Sequence, residues 1–407
     1  MTTELSIDQQ VAALARRCER IVPEQELRAK LERAAKTNKP LRIKLGLDPT
    51  APDVTLGHCV PLKVVRQFQD WGHKAVIIIG DTTARVGDPS GRNKTRPPLS
   101  GEQIDANAKT YVAQVGKILR TDPEHLELRY NGEWFNRMNL TDVIRLAGRK
   151  TVAQVLTRED FAKRFAEGTD IRLHEIFYPL LQGWDSVQIE ADVEMGGSDQ
   201  LFNNMVGREF QQEQRPDDPL AGQVVIVTPL LVGTDGQKKM SKSLGNYVGV
   251  TDPPSGPAGM FGKIMSLPDA LLDSYYTLLT DLPKEQFQPL IAQRPRDAKV
   301  GLAKHVIAWL HSPQDAEQAE ADFVKQFVKH EAPDDMPEVK VDGPGPHKLT
   351  HLLVKAGLAA SNGEASRKIK ENAVGLDGEK VTNVQADVTV DRTRVLKLGR
   401  KYARLVL

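Results

Sequence analysis

The feature that most constrains this chain is a set of short, strongly apolar runs separated by stretches with helical spacing. RIKLGL at 42–47, KAVIIIG at 74–80 and VVIVTPLLV at 224–232 read as strands, and LGHCVPLKVVRQFQDWG at 56–72 reads as a helix between the first two. Strands rich in β-branched residues are buried on both faces, and helices must do the covering. The expected fold class is therefore α/β, a doubly wound (Rossmann-type) parallel sheet. Ligands of such sheets sit at the carboxyl ends of the strands, which is where chemistry is to be sought.

A chain of 407 residues exceeds what one core usually organises, so further domains are expected. From Pro268 to His330 the pattern is helical, with ALLDSYYTLL and VGLAKHVIAWLH and no convincing strand. EAPDDMPEVKVDGPGP at 331–346 holds four Pro and two Gly and suits a linker. The remainder, 347–407, carries twelve Lys and Arg against six Asp and Glu, on a chain whose net charge is only +1. A basic module attached to a mildly acidic body favours a polyanionic partner, although a solvated basic face has the same composition. Domains are thus expected at 1–250, 251–330 and 347–407, with 331–346 between the last two. The longest strongly apolar stretch, Ala75–Ile79, is too short for a membrane span, and the N-terminus reads as an amphipathic helix. Cys18 and Cys59 show no metal-binding or disulfide spacing, which fits a reducing cytoplasm.

Five segments have the makings of a site. GLDPTAPDVTLGH at 46–58 joins a strand to a helix, where free backbone N–H groups attract phosphate; alone, its Gly57-His58 is an ordinary helix start. KKMSKSLGN at 238–246 places Lys239 and Lys242 in a polar loop able to fold over a triphosphate, or to be a solvated basic turn. In YPLLQGWD at 178–185, Tyr178, Gln182 and Asp185 fall on one helix face, lining either a pocket or solvent. EMGGSDQ at 194–200 is a strand end whose Ser198 reads as the cap of the following helix and whose Asp199 suits a ribose diol. GDTTARVGDPSGR at 80–92 combines a strand end with Asp81, Thr83 and Asp88.

Taken in order, TLGH and KMSKS resemble the two signatures of class I aminoacyl-tRNA synthetases, HIGH and KMSKS, and the Tyr-x-x-x-Gln-x-x-Asp helix with GGSDQ resembles the tyrosyl branch. The resemblance implies catalysis by His58, Lys239 and Lys242, and ATP contacts from Thr50, Thr55, Gly57, His58, Asp199 and Lys242. It implies a tyrosine pocket of Gly46, Asp48, Thr83, Asp88, Tyr178, Gln182, Asp185 and Gln200, with Gly197 in the GGSDQ turn. Tyr178 and Gln182 match the groups that bind the ammonium, and Asp185 the one that accepts the phenol proton. Arg92 and Arg96 would meet the tRNA acceptor end. KLTHLLVKAGLAASNGEASRKIKENAVGLDGEKV at 348–381 resembles a small RNA-binding domain of ribosomal type, which puts Arg367, Lys368 and Lys370 on RNA.

The implied reaction is tyrosine activation by ATP with Mg2+, followed by transfer to the terminal ribose of tRNA(Tyr), without a tightly bound cofactor or a protein-held metal. A helical anticodon-recognition domain at 251–330 and homodimerisation through about 120–190 are expected on the same ground, and no membrane association is. Two departures stand out. Thr55 replaces the first histidine of HIGH, and Lys44 stands where many bacterial members place a second tyrosine facing the substrate hydroxyl, with Glu194 in place of a Gln; Lys at 44 marks a second bacterial branch. The rival readings are a tryptophanyl enzyme, which lacks this tail, and a synthetase-like RNA-binding protein without aminoacylation.

Overall fold

The structure is a computed structural model that describes residues 5–49, 52–89, 100–328, 336–399 and 401–407. Six strands form the main sheet: β1 (Arg20–Val22), β2 (Arg42–Leu47), β3 (Lys74–Ile79), β4 (Leu126–Tyr130), β5 (Val193–Gly197) and β6 (Val224–Thr228). Their order is β1-β6-β5-β2-β3-β4, and only β1 runs antiparallel to its neighbour. The runs Ala75–Ile79 and Val224–Val227 are buried throughout, as strands covered on both faces must be. Because β2 pairs with β3 on one side and β5 on the other, the strand order reverses beside β2, and that crevice is the natural ligand site.

Five helices position the site: α1 (Leu56–Asp70), α2 (Gly101–Val115), α3 (Leu140–Ala147), α4 (Leu173–Gln188) and α5 (Leu201–Gln214). Ser100 and Gln103 close a reciprocal capping box at the start of α2. Helices α4 and α5 approach closely because Gly183 and Gly207 face one another's backbones: a Cβ on Gly183 would lie 2.8 Å from a Val206 methyl, and one on Gly207 would lie 2.7 Å from Ser186 Oγ. The Ser198 expected to cap α5 does not do so. It begins a 3-10 turn, Ser198–Gln200, and Gln200 holds the cap position without a side-chain bond, since the chain needs that extra turn to pass from β5 into the helix.

The chain divides into two compact units, Met1–Thr251 with Leu267–Pro295 and Asp252–Ser266 with Arg296–Leu407. The helical stretch after residue 251 is shared between them. Leu272–Leu279 stays with the first unit, where Tyr275 donates its hydroxyl to the Val232 carbonyl at 2.6 Å and the buried Arg17 donates to the Leu278 and Thr280 carbonyls. The second unit contains helices Leu349–Lys355 and Asn362–Lys370 packed on a five-stranded sheet, with Leu349, Leu353, Ile369, Leu396 and Leu405 in its core. Asp377 and Gly378 both take positive φ, 51° and 89°, in the two-residue turn between strands Val374–Leu376 and Glu379–Lys380. Within the stretch expected as a linker, Glu338–Lys340 is instead a strand paired in parallel with Arg404–Val406; its alternating polar residues sit at the sheet edge, where an isolated three-residue strand gives no periodicity to read.

Candidate active site

The central strand β2 is buried at Ile43, Lys44, Leu45 and Leu47, yet Gly46 is exposed, and a Cβ built on it would meet nothing within 4 Å. An open point in the middle of a covered sheet is the floor of a pocket. Asp48, just past the strand, accepts from Thr83 Oγ1 at 2.8 Å and from the Tyr178 hydroxyl at 2.9 Å. Gly80 makes room for that crossing, since a Cβ there would lie 2.0 Å from Asp48 Oδ1. Gln200 donates to Asp88 at 2.9 Å, and Asn203 donates to both Gln182 Oε1 (2.9 Å) and Gln200 Oε1 (3.1 Å). All eight residues expected to bind tyrosine therefore converge around the carboxyl ends of β2, β3 and β5.

Asp185 lies deep in the pocket, only 4% exposed. It accepts from Trp134 Nε1–H at 2.9 Å and, more loosely, from Asn131 Nδ2 at 3.4 Å. Burial pushes its carboxyl up to about 7, against the opposing charge of Lys44 and the two hydrogen bonds. Burial, reinforced by the Asp48 charge, likewise raises the Tyr178 phenol well above its ordinary value.

The two phosphate-type segments meet beside the same crevice. Thr55 caps α1: its backbone N–H donates to His58 Nδ1 at 3.1 Å, and its hydroxyl lies 2.8 Å from the same nitrogen. With Nδ1 accepting, a neutral His58 carries its proton on Nε2, assigned here from the hydrogen-bond network. Burial, and then the charges of Lys242 and Lys239, lower His58 to about 4, so the ring is neutral near pH 7 and Nε2–H is a donor. Thr55 thus acts through His58.

The second segment folds back on the first. Leu56 N–H donates to the Val248 carbonyl and Val250 N–H to the Val54 carbonyl, while Gly57 leaves only 3.6 Å between a would-be Cβ and the Met240 Cβ. Asn246 pins the loop by accepting from Ser241 N–H (2.8 Å) and donating to Asp235 (2.9 Å). Lys239 pairs with Asp199 at 2.8 Å, and Lys242 donates to the Tyr111 hydroxyl at 2.9 Å. Both ammonium groups are thereby held at the mouth of the site by polar partners that an anionic ligand can displace.

Thr50, Arg92 and Arg96 lie outside the described residues. On the basic module, Arg367 and Lys370 are exposed in the last turn of Asn362–Lys370, and Lys368 pairs with Glu371 at 2.7 Å. Motif reading missed Asn131, Trp134, Asn203, Tyr111 and Arg158, the last 3.4 Å from Asp88. For Asn131 a signal was present: it follows β4, and a polar residue at the carboxyl end of a parallel strand is a site candidate by topology alone. Asn203 also follows from its position two residues beyond the helix start after GGSDQ, whereas nothing local marks Trp134 or Tyr111.

Comparison with known proteins identifies the family. The family model described as tRNA synthetases class I (W and Y) matches residues 36–328, and one described as the tyrosine–tRNA ligase SYY-like C-terminal domain matches 328–403. The tyrosine–tRNA ligase of Moorella thermoacetica is 47% identical over 409 residues, covering 99% of this chain and 97% of its own. Tyrosine–tRNA ligase 2 of Vibrio parahaemolyticus is 49% identical over 410 residues, covering 99% of both. Among solved structures, a C-terminally truncated mitochondrial tyrosyl-tRNA synthetase of Aspergillus nidulans superposes with a TM-score of 0.65 at 23% identity, over 80% of this chain and 95% of that one. An Archaeoglobus fulgidus tyrosyl-tRNA synthetase complexed with L-tyrosine gives 0.60 at 23%, over 77% and 99%; at such identity these two speak for the fold alone. Identity this high, sustained over the whole length, makes the chain a member of the class I tryptophan and tyrosine tRNA synthetases, among the tyrosine–tRNA ligases.

Proposed function

We propose that this protein activates L-tyrosine with ATP and transfers it to the 3′-terminal ribose of tRNA(Tyr). The observation that carries the reading is the buried Asp185 carboxyl in a pocket floored by the open Gly46. A carboxylate with spare lone pairs in an apolar recess calls for a substrate hydroxyl and is penalised when phenylalanine leaves it unpaired. Tyr178, Asp48, Asp88 and Gln182 offer oxygens for the substrate ammonium, and the Gly196-Gly197 turn lets the α-carboxylate approach ATP.

ATP enters as its magnesium complex, as a substrate. Tyrosine carboxylate attacks the α-phosphorus, the bond from that phosphorus to the α,β-bridging oxygen breaks, pyrophosphate leaves, and tyrosyl-adenylate forms. His58 Nε2–H donates to the phosphates, and Lys239 and Lys242 leave Asp199 and Tyr111 to stabilise the charge that builds on the departing pyrophosphate. Asp199, once released, accepts from the ribose diol. No side chain serves as a covalent nucleophile, so catalysis is positioning and charge stabilisation. The terminal ribose hydroxyl of the tRNA then attacks the adenylate's carbonyl carbon, the bond to the phosphate oxygen breaks, and AMP leaves as its phosphate takes up the hydroxyl proton, with Arg367, Lys368 and Lys370 on the tRNA backbone.

The enzyme works as a cytoplasmic homodimer in this reading. Within residues 120–190 five large apolar side chains stand in solvent: Leu140 at 74% exposure, Ile144 at 61%, Val152 at 60%, Phe165 at 69% and Leu173 at 78%. Such a concentration is what a partner surface covers. The test of the activity is ATP–pyrophosphate exchange with tyrosine, tryptophan and phenylalanine in parallel. Exchange with tyrosine alone is expected; exchange with tryptophan, or with none of the three, refutes it.

A further inference from the structure

Lys44 stands at a position whose side chain would be expected to face the substrate hydroxyl, yet its ammonium is fully buried and fully engaged. It is 0% exposed in the middle of β2, directly across the sheet from Glu194 on β5, with which it forms an ion pair of 2.8 Å. Its other two protons go to the Gln182 carbonyl at 2.8 Å and to Ser186 Oγ at 2.7 Å. An ammonium has three donors, and all three are used before any substrate arrives. Glu194 is equally saturated: besides Lys44 it accepts from Ser186 Oγ at 3.0 Å, from Gln182 Nε2 at 3.2 Å and from Gln223 Nε2. The two ends of this clamp, Gln182 and Ser186, are one helical turn apart on α4 and bracket Asp185.

We propose that Lys44 is a positioning and specificity-determining residue for tyrosine: it bonds no substrate atom, but fastens the Gln182–Ser186 turn to the sheet and supplies the buried positive charge that keeps Asp185 a carboxylate able to accept the phenol proton. The proposal rests on the reading of Asp185 as the phenol acceptor. The field at Asp185 has the sign this requires. Burial drives this carboxyl toward its neutral form, the Lys44 charge is the largest influence in the opposite direction, and Glu194 adds weakly to the burial effect. Other charged or titratable groups near the pocket include Asp48 beyond β2, Tyr178 on α4, Asp88 with its partner Arg158, Asp81, which accepts from Gly132 N–H, and Arg129, whose guanidinium lies 5.5 Å over the Trp134 ring and pairs with Glu127 and Glu133. Lys44 itself bonds Gln182 and Ser186 on the buried face of α4, and it is the positive charge that acts on Asp185 there.

The experiment compares wild type, Glu194→Gln and the double variant Lys44→Met/Glu194→Gln, reading kcat/KM for tyrosine in ATP–pyrophosphate exchange between about pH 5.5 and 9, a profile that reports free-enzyme ionisations. Glu194→Gln keeps the shape of the site and leaves the Lys44 charge unopposed, so the acid limb is expected to move to lower pH. The double variant removes both charges, and its acid limb is expected to move to higher pH by about half a pH unit or more, the opposite shift of the single variant being the smaller one. Discrimination between tyrosine and phenylalanine at pH 7 should fall about 10-fold in the double variant and hold in the single one. Opposite displacements are the signature of charge; a merely structural clamp lowers the rate in both variants without moving the limb, and that result, or shifts of the same sign, overturns the proposal. Because Glu194→Gln is nearly isosteric, a folding failure of the double variant leaves the single variant's acid-ward shift as the deciding reading. Asp185→Asn separates the two layers: if it keeps the tyrosine preference and the acid limb, the phenol-acceptor reading itself fails, whereas if it loses both while the Lys44 and Glu194 variants shift nothing, only the role of Lys44 fails.

Discussion

Asp185→Asn should make this protein more stable above neutral pH while removing its recognition of tyrosine. The carboxyl is raised from 3.8 to about 7, mainly by burial. The native state therefore holds a proton that the unfolded state has already released between those two values, so stability falls as pH rises from about 4 to about 7 and is flat beyond. Three units at 1.36 kcal/mol each set a ceiling of about 4 kcal/mol for what the ionised form costs the fold. The amide relieves that cost but is not perfect in its place. Its Oδ1 can still accept from Trp134 Nε1–H, yet its Nδ2 would face the Asn131 Nδ2 donor across the present 3.4 Å contact, a loss of about 1 kcal/mol. The expected net gain is about 1 to 3 kcal/mol at pH 8 and close to zero near pH 4.

Equilibrium urea unfolding followed by tryptophan fluorescence, run on wild type and variant side by side at those two pH values, measures it. An increment equal at both pH values, or a variant less stable than wild type at pH 8, refutes the reasoning, because no other change introduced by an isosteric amide carries that pH dependence. In the same preparations kcat/KM for tyrosine should drop about 30- to 150-fold, the value of a hydrogen bond to a charged group at about 2 to 3 kcal/mol. Gain of stability with loss of function at one residue is what a strained recognition group predicts.

Two further outcomes follow from the site and the surface. Gly46→Val should raise KM for tyrosine at least about 10-fold with little change in melting temperature, because the added methyls enter open pocket space and not packed protein; steady-state exchange kinetics and a thermal melt test this together, and an unchanged KM would place the substrate elsewhere. Ile144→Asp on α3 should shift the proposed dimer toward monomer in sedimentation analysis, since a charge would be buried where a 61% exposed isoleucine is proposed to meet a partner.

What could be read from the sequence was whatever a few neighbouring residues settle among themselves: the β-branched runs that became β2, β3 and β6, the helical face of Tyr178, Gln182 and Asp185, and the Asp377-Gly378 turn. The contacts that could not be read join residues far apart. Trp134 reaches Asp185 across 51 positions, and Tyr111 reaches Lys242 across 131, neither with a local pattern to announce it. Strand β2 shows how the two kinds of information meet. Arg42, Lys44 and Gly46 alternate with apolar residues, which by period alone is the polar, solvent-facing side of a half-buried strand. In the fold that side lies under α4. Arg42 is tied to Glu127 at its base, Lys44 is sealed against Glu194 in its middle, and Gly46 opens into the pocket at its top. The alternation was real, but its meaning depended on a strand 150 residues later, because a lysine is tolerated in a core only where another element brings the counter-charge and the acceptors to satisfy all three of its donors.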